Sequence, residues 1–314
     1  MDKLSQKLRF RTSYQFVEPR YYSFTMVKIA VAGGSGQISR EIVDILIASK
    51  KHDITILSRK PSHPGLVSWQ TVDYDDKAAL VEALCGIHTL LSFVQILSDP
   101  DQRSQRNLID AAISAGVKRF APSEYGSEGT VDMAWWQGKE RIREYLKEVN
   151  AKGNKLEYIL FQPGLFFDYL AFPHKTAKYV DPLQSVFDFE NRRAIVVEGH
   201  EAAVMMTLTT VADLAAIVAR SVDYDGKWPT AGGIRGNRVT FSQLIEIGRK
   251  VRGRPFTVDK VKVEDLEAED LKISWGLNAV HHAVSKDQAR VLLKAVSIGF
   301  LPSKQYKRRM GLIR

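Results

Sequence analysis

The chain has 314 residues, enough to bury a large core as one big domain or as a domain with a smaller lobe. Its apolar fraction of 45% and charged fraction of 26% are those of an ordinary globular protein, and no apolar run approaches the roughly 18 residues of a membrane span, so no membrane partner is expected. The formal charge of +9 is mostly spread as single or paired Lys and Arg, densest at "KRRM" over 307–310, without zinc-finger spacing or an aromatic ribonucleoprotein motif, so a solvated basic surface is expected in place of a nucleic-acid partner.

The first 25 residues hold five Lys/Arg against two acids, and Leu4 and Leu8 share a helical face. They read as a poorly ordered extension; a targeting segment and an upstream start ahead of Met26 are the alternatives, and Asp2 counts against targeting. Strands follow at 27–33, 53–59, 66–74 and 87–94, with helices at about 38–46, 76–86 and 105–117. A fifth strand lies within 118–126 and a sixth at 155–164. Nearly continuous apolar strands alternating with crossover helices predict a parallel sheet covered on both faces. After Gly164 the alternation fades. A strand at 193–199 and helices at 209–222, 240–253 and 263–272 remain, with Thr209 or Thr210 and Thr240 or Ser242 as N-caps. Cys85, the only cysteine, excludes an intrachain disulfide and a cysteine-based metal site. Its setting, "ALCGIHTLLSF", reads as a small buried apolar position, and a reducing, cytoplasmic location is expected.

"VAGGSGQIS" turns off the first strand into a helix. Gly33 and Gly36 occupy the places where a dinucleotide-binding loop needs a tight turn and a close backbone approach to pyrophosphate. The third glycine place, a packing position between helix and strand, holds Ser39. Serine adds one small hydroxyl there and leaves the phosphate approach untouched, so Gly33, Ser35, Gly36, Gln37 and Ile38 are expected to bind the cofactor at the helix N-terminus. At the end of the second strand stand Ser58, Arg59 and Lys60 in place of the acid that would hold a ribose 2′-hydroxyl. Two cations and a hydroxyl suit a 2′-phosphate, so NADPH is the expected cofactor. The fold class is therefore α/β: a Rossmann-like doubly wound parallel sheet over 26–164, followed by a smaller substrate lobe over 165–314 interleaved with late sheet elements at about 193–222.

"GGSGQIS", "RNLIDAAISAGVKRFAPSEYG", "GKERIREYL" and "QPGLFFDYL" together resemble the isoflavone reductase-like and NmrA-like group of atypical short-chain dehydrogenases. The resemblance is closest to fungal members, runs from about Val27 to about Val263 and is weaker over the last fifty residues. It implies reduction of phenolic, enone-like or benzylic ether substrates from NADPH, or, in the NmrA branch, dinucleotide sensing without turnover. It maps the family's catalytic lysine onto Lys139, which is also expected to contact the cofactor. Trp135 stands where ordinary short-chain dehydrogenases carry their tyrosine, so no hydroxyl acid/base is available there, as in the plant reductases. The resemblance also implies that Ser92, Phe93, Val94 and Gln95 border the nicotinamide ribose and that Pro163, Gly164 and Phe166 contact the nicotinamide.

On a helix, Lys139 and Arg143 share a face four residues apart, and a like charge with partial burial lowers the lysine's pKa towards neutrality. Glu124 is expected to pair with Lys139 or to cap the next segment. Phe166, Phe167, Tyr169, Phe172 and His174 offer aromatic substrate-pocket walls, with ordinary core packing as the alternative for the aromatics and an incidental loop position as the alternative for His174. His281–His282 lacks a carboxylate at ligand spacing, so no metal site is expected. The expectation is an NADPH-dependent reductase of an aromatic or polyketide-like small molecule of secondary metabolism, monomeric or homodimeric, with Lys139 as general acid/base. An NmrA-like sensor and a redox-neutral isomerase or cyclase are the alternatives.

Overall fold

The computed structural model describes residues 26–60, 67–95, 99, 101–129, 133, 136–277 and 285–298; the N-terminal extension, Trp135 and His281–His282 lie outside the described residues. Strand β1 (Lys28–Ala32) is central. On one side it pairs with β2 (Asp53–Ser58), which carries β3 (Ser68–Thr71); on the other lie β4 (Thr89–Ser92), β5 (Arg119–Ala121) and β6 (Glu157–Tyr158). Every pairing is parallel, in the order β3-β2-β1-β4-β5-β6. The α/β doubly wound class expected from the alternating pattern is the one observed.

Helices α1 (Gln37–Ser49), α2 (Lys77–Ala83), α3 (Arg103–Ser114) and α4 (Gln137–Asn150) make the crossovers. Alternate residues of β1 explain its unbroken apolar run. Ile29 and Val31 enter one core with α1 and a later helix, α5 (Val211–Asp223), while Ala30 and Ala32 enter a second with α2, α3 and α4.

The sixth strand differs from the expectation. It is split into β6 and β7 (Leu160–Gln162), because consecutive amides point to opposite neighbours. Ile159 N donates to Phe120 O (3.2 Å) and Leu160 N to Thr230 O (2.9 Å), beside a glycine-rich strand, β12 (Ala231–Gly233). Beyond Gly164 the strands are short and pair across long gaps. β8 (Leu165–Phe166), β11 (Met205–Thr209) and β13 (Asn237–Thr240) form one sheet; β9 (Phe187–Asp188), β10 (Arg193–Val197) and β14 (Thr257–Val261) form another. They share a third core with α6 (Phe241–Arg252), α7 (Val263–Glu267) and α8 (Lys286–Ile298). Thr210 caps α5, and Thr240 with Gln243 forms a capping box on α6. The helix expected over 263–272 stops at Glu267, and Glu269 takes a left-handed φ of 62°. Cys85 is exposed, not buried: Leu84 fills the core position and the chain turns outward behind it.

Candidate active site

The parallel register sends three loops off one sheet edge. Ala32 sits opposite Leu57 on one side and Ser92 on the other, so the loop after Gly33 emerges between Ser58–Lys60 and Phe93–Gln95. This is the point where strand order reverses, the ligand-binding crevice of such sheets. Gly33 has φ +73°, and a Cβ there would lie 2.8 Å from Phe93 O, so only glycine lets the two loops touch. Ser35, Gly36 and Gln37 are exposed at the start of α1, and Ile38 is half-buried. Gly36 is an extended N-cap without a side-chain bond, and no acid stands in the first turn, which leaves that turn's amides and the dipole available to an anion. The Gln37 side chain is engaged elsewhere, donating to Asp181 at 2.6 Å.

Ser39 is fully buried, and its hydroxyl turns back into the loop towards the carbonyls of Gly33 (3.0 Å) and Gly36 (2.9 Å). Tyr74 was not singled out from sequence and closes the loop from the other side. Its hydroxyl donates to Leu57 O (3.0 Å) and accepts from Gly33 N (3.1 Å), and burial pushes its pKa up to about 12. Arg59 and Lys60 are exposed at the end of β2, while Ser58 is buried and accepts from Lys60 N at 3.2 Å. Ser92 is buried at the end of β4, with Val94 half-buried and Gln95 exposed beyond it. The Phe93 ring stacks on Tyr125 with centroids 4.6 Å apart, joining this loop to the turn after β5.

That turn holds the lysine. Lys139 lies in the first turns of α4 and is only 4% exposed. Its amine donates to Glu124 O and sits 4.0 Å from the centre of the Trp136 ring. Burial lowers the pKa of Lys139 to about 8; the Glu124 carboxylate opposes this and Arg143 adds to it. The expected direction is therefore observed, but desolvation leads and the neighbouring cation is secondary. The Glu124 carboxylate neither pairs with Lys139 nor caps a helix: it takes the fork of Arg143, Nε at 3.0 Å and Nη2 at 2.7 Å. Gly126 passes beneath the lysine, where a Cβ would lie 2.5 Å from Nζ. Its carbonyl accepts from Gly164 N at 3.0 Å, so the corner of buried Pro163 and half-buried Gly164 is tied to the lysine turn.

Two cavities flank the sheet of β8, β11 and β13. One, of about 490 Å³, is walled by Met133, Trp136, Leu165, Met205, Thr207 and Leu292. Trp136 separates it from the Lys139 amine. The other, of about 710 Å³, contains Phe167 and His174 with Leu208, Asn237 and Val239. Thr207 and Leu208 are successive residues of β11 and face opposite sides, so Phe167 and His174 border a different space from the lysine. Phe166 and Tyr169 pack edge to face at 5.3 Å in the core beside Val211, as the packing alternative anticipates. The single aromatic pocket expected from Phe166, Phe167, Tyr169 and His174 is thus divided. Methionines and Trp136, which carried no substrate signal in sequence, wall the lysine-side cavity instead. Among the described residues no cluster of His, Cys, Asp and Glu is arranged for a metal, and no helix is long and apolar enough to cross a membrane.

A glycine loop at the reversal point of a six-stranded parallel sheet defines a Rossmann-like nucleotide-binding fold. Residues 25–290 match the model of the NmrA-like family, and the chain belongs to that family. It is similar to Oxidoreductase BOA1 of Botryotinia fuckeliana (strain B05.10), 33% identical over 235 residues that cover 73% of this chain and 77% of the relative. Its fold is that of the NADPH-dependent quinone oxidoreductase QOR2 of Escherichia coli, solved with NADPH, at a TM-score of 0.61 and 21% identity over 90% of this chain and 94% of that one. It is also that of isoflavone reductase, at 0.61 and 20% over 87% and 86%.

Proposed function

We propose that the protein is an NADPH-dependent reductase of an aromatic or polyketide-like small molecule, with Lys139 as its general acid. The observation that carries this reading is the buried, low-pKa Lys139 amine behind the Trp136 wall of an apolar cavity, joined by the Phe93–Tyr125 stack to the glycine loop. The oxidoreductase name of the 33% relative and the NADPH bound to the fold neighbour support it.

The cradle suits a dinucleotide. Gly33, Ser35, Gly36 and Ile38 supply a loop and a helix start with no acid in its first turn, and Arg59 and Lys60 supply cations for a 2′-phosphate. Phe93, Val94, Pro163 and Gly164 line the path onwards to the lysine turn. When bound, reduced nicotinamide supplies a hydride from its C4. Lys139 delivers a proton from Nζ to the substrate oxygen, directly or through one water, and its amine is about half protonated near pH 8. The methionine, leucine and tryptophan walls adapt to a flat, polarisable ligand, with Glu128, Gln162 and Arg235 at the cavity's polar edge.

The test is titration of NADPH, NADP+, NADH and NAD+ into the purified protein, repeated with Arg59→Ala and Lys139→Ala, followed by a screen of phenolic enones for NADPH consumption. NADPH preference lost in Arg59→Ala, with turnover lost but binding kept in Lys139→Ala, is the expected result. Absence of dinucleotide binding sinks the reading. Binding without turnover on any substrate favours a sensor.

A further inference from the structure

We propose that Arg143 is a positioning residue for Lys139: its guanidinium locks the 124–128 turn in the shape that offers a carbonyl, and withholds a carboxylate, to the lysine amine. The inference builds on the reading of Lys139 as acid/base, but its test needs no turnover.

One side chain gathers most of that turn. Nε and Nη2 of Arg143 take both oxygens of Glu124 (3.0 and 2.7 Å), Nη2 also donates to Ser127 O (3.2 Å), and Nη1 donates to Glu128 O (2.7 Å). Nη1 additionally meets Glu140 at 2.7 Å on its own helix. A planar five-donor fork can do this; a lysine, a single point donor, cannot. The turn needs such a clamp. Tyr125 holds φ 28°, a strained value for a residue with a side chain, which persists only where surroundings over-determine it. Glu124 is 2% exposed, and a buried carboxylate is tolerated only when fully paired.

The clamp also divides the charges. The charged groups acting on the amine are the Glu124 carboxylate from the turn and the Arg143 guanidinium from its own helix. If the carboxylate met the ammonium, it would hold the proton; because Arg143 takes both oxygens, Lys139 is left with the neutral Glu124 carbonyl. Arg143 thus preserves an amine able to exchange its proton near neutral pH.

The experiment is an NMR titration of the Lys139 amine in the full chain, without substrate, in wild type, Arg143→Lys and the double variant Arg143→Met/Glu124→Gln. Arg143→Lys keeps the charge and loses the fork. Its lysine should titrate at least about one pH unit higher, a tenfold gain in proton affinity, as Glu124 is freed to meet it. The double variant replaces a buried ion pair by uncharged groups of similar size and serves if Arg143→Lys does not fold. With no carboxylate left to meet the ammonium, its lysine should titrate no higher than wild type. An Arg143→Lys lysine within about 0.3 unit of wild type overturns the proposal, as does a double variant whose lysine rises by about a full unit with no carboxylate to meet. The outcomes also separate the two readings. A raised titration while Lys139→Met keeps its turnover supports the positioning role and removes the acid/base role. An unmoved titration while Lys139→Met is inactive overturns the positioning role alone.

Discussion

The hydroxyl of Ser39 lies between the carbonyls of Gly33 and Gly36, at 3.0 and 2.9 Å, at the place where dinucleotide loops carry a third glycine. The residue that breaks the pattern therefore holds it together. Its Cβ fits the gap between helix and strand, and its proton ties the helix start to the two glycines that shape the turn. Both carbonyls keep a backbone donor as well, Gly36 N on Gly33 O and Arg40 N on Gly36 O. Loss of the hydroxyl consequently strands no buried acceptor. Ser39→Ala should cost about 1 kcal/mol in denaturant unfolding and weaken dinucleotide binding less than tenfold. Ser39→Leu should lose binding altogether, because a site with no exposed surface has no room for three more carbons. A tightly binding Ser39→Leu would show that this loop does not seat the cofactor.

Burial of Lys139 should appear as pH-dependent stability. Its amine titrates near 8 in the folded chain against an ordinary 10.5. Between these values the unfolded chain binds more protons, so stability rises with pH across that window and is lowest below it. Lys139→Met should thus be more stable than wild type at pH 7 in urea melts, with the gap closing as pH climbs from 8 towards 10. A gap independent of pH would mean that the amine is hydrated. Turnover should run the other way in wild type: if Lys139 is the acid, rate falls above about pH 8 as the proton is lost.

The legible part of this molecule is local. Apolar strands, helix periodicity, the Thr210 and Thr240 caps and the loop from Gly33 to Ile38 are short-range patterns, and the first half of the fold follows from them. Of the candidate site, the sequence places Arg59 and Lys60 at the end of the second strand, where they stand exposed. Tyr74 reaches back 41 residues to Gly33, and Gly126 matters because Lys139 crosses it; neither contact has a sequence period. The aromatic cluster after Gly164 misleads for the same reason. Phe166 and Tyr169 turn into the core while Phe167 and His174 border the larger cavity, and the strand they pack beside, β11, lies forty residues later. Glu124 next to a future lysine reads as its counter-ion until the Arg143 fork is seen.

Arg59→Ala should lower affinity for NADPH about tenfold and leave NADH within about twofold, because only the 2′-phosphate loses a partner. The difference should shrink in high salt, since Arg59 is exposed and its field is screened. Fluorescence titration of both cofactors at two ionic strengths measures it. Equal losses for the two cofactors would assign Arg59 a structural role.

The two cavities separate by mutation. Trp136→Ala removes a wall of the lysine-side cavity and the ring over the amine, so KM should rise about tenfold, the equivalent of roughly 1.4 kcal/mol of binding. Phe167→Ala should change KM less than twofold, because its ring borders the space across β11, and a larger effect would place substrate there.

Gly126→Ala is the most economical probe of the lysine turn. Its added methyl would lie 2.5 Å from Lys139 Nζ, closer than real Cβ contacts come, and 3.0 Å from Trp136 Cη2, a tight contact. Both neighbours are ends of side chains, so the fold accommodates the change by moving the amine. The cofactor cradle lies at the glycine loop and keeps its contacts. Dinucleotide affinity should stay within about twofold while kcat falls about a hundredfold, the scale at which an ångström of misplacement acts on an acid/base group. Lys139→Ala in the same background should lower kcat no further, since the displaced amine is already out of reach. A Gly126→Ala enzyme with normal kcat would mean that the amine reaches substrate from another rotamer, and that the Glu124 carbonyl is not its working partner.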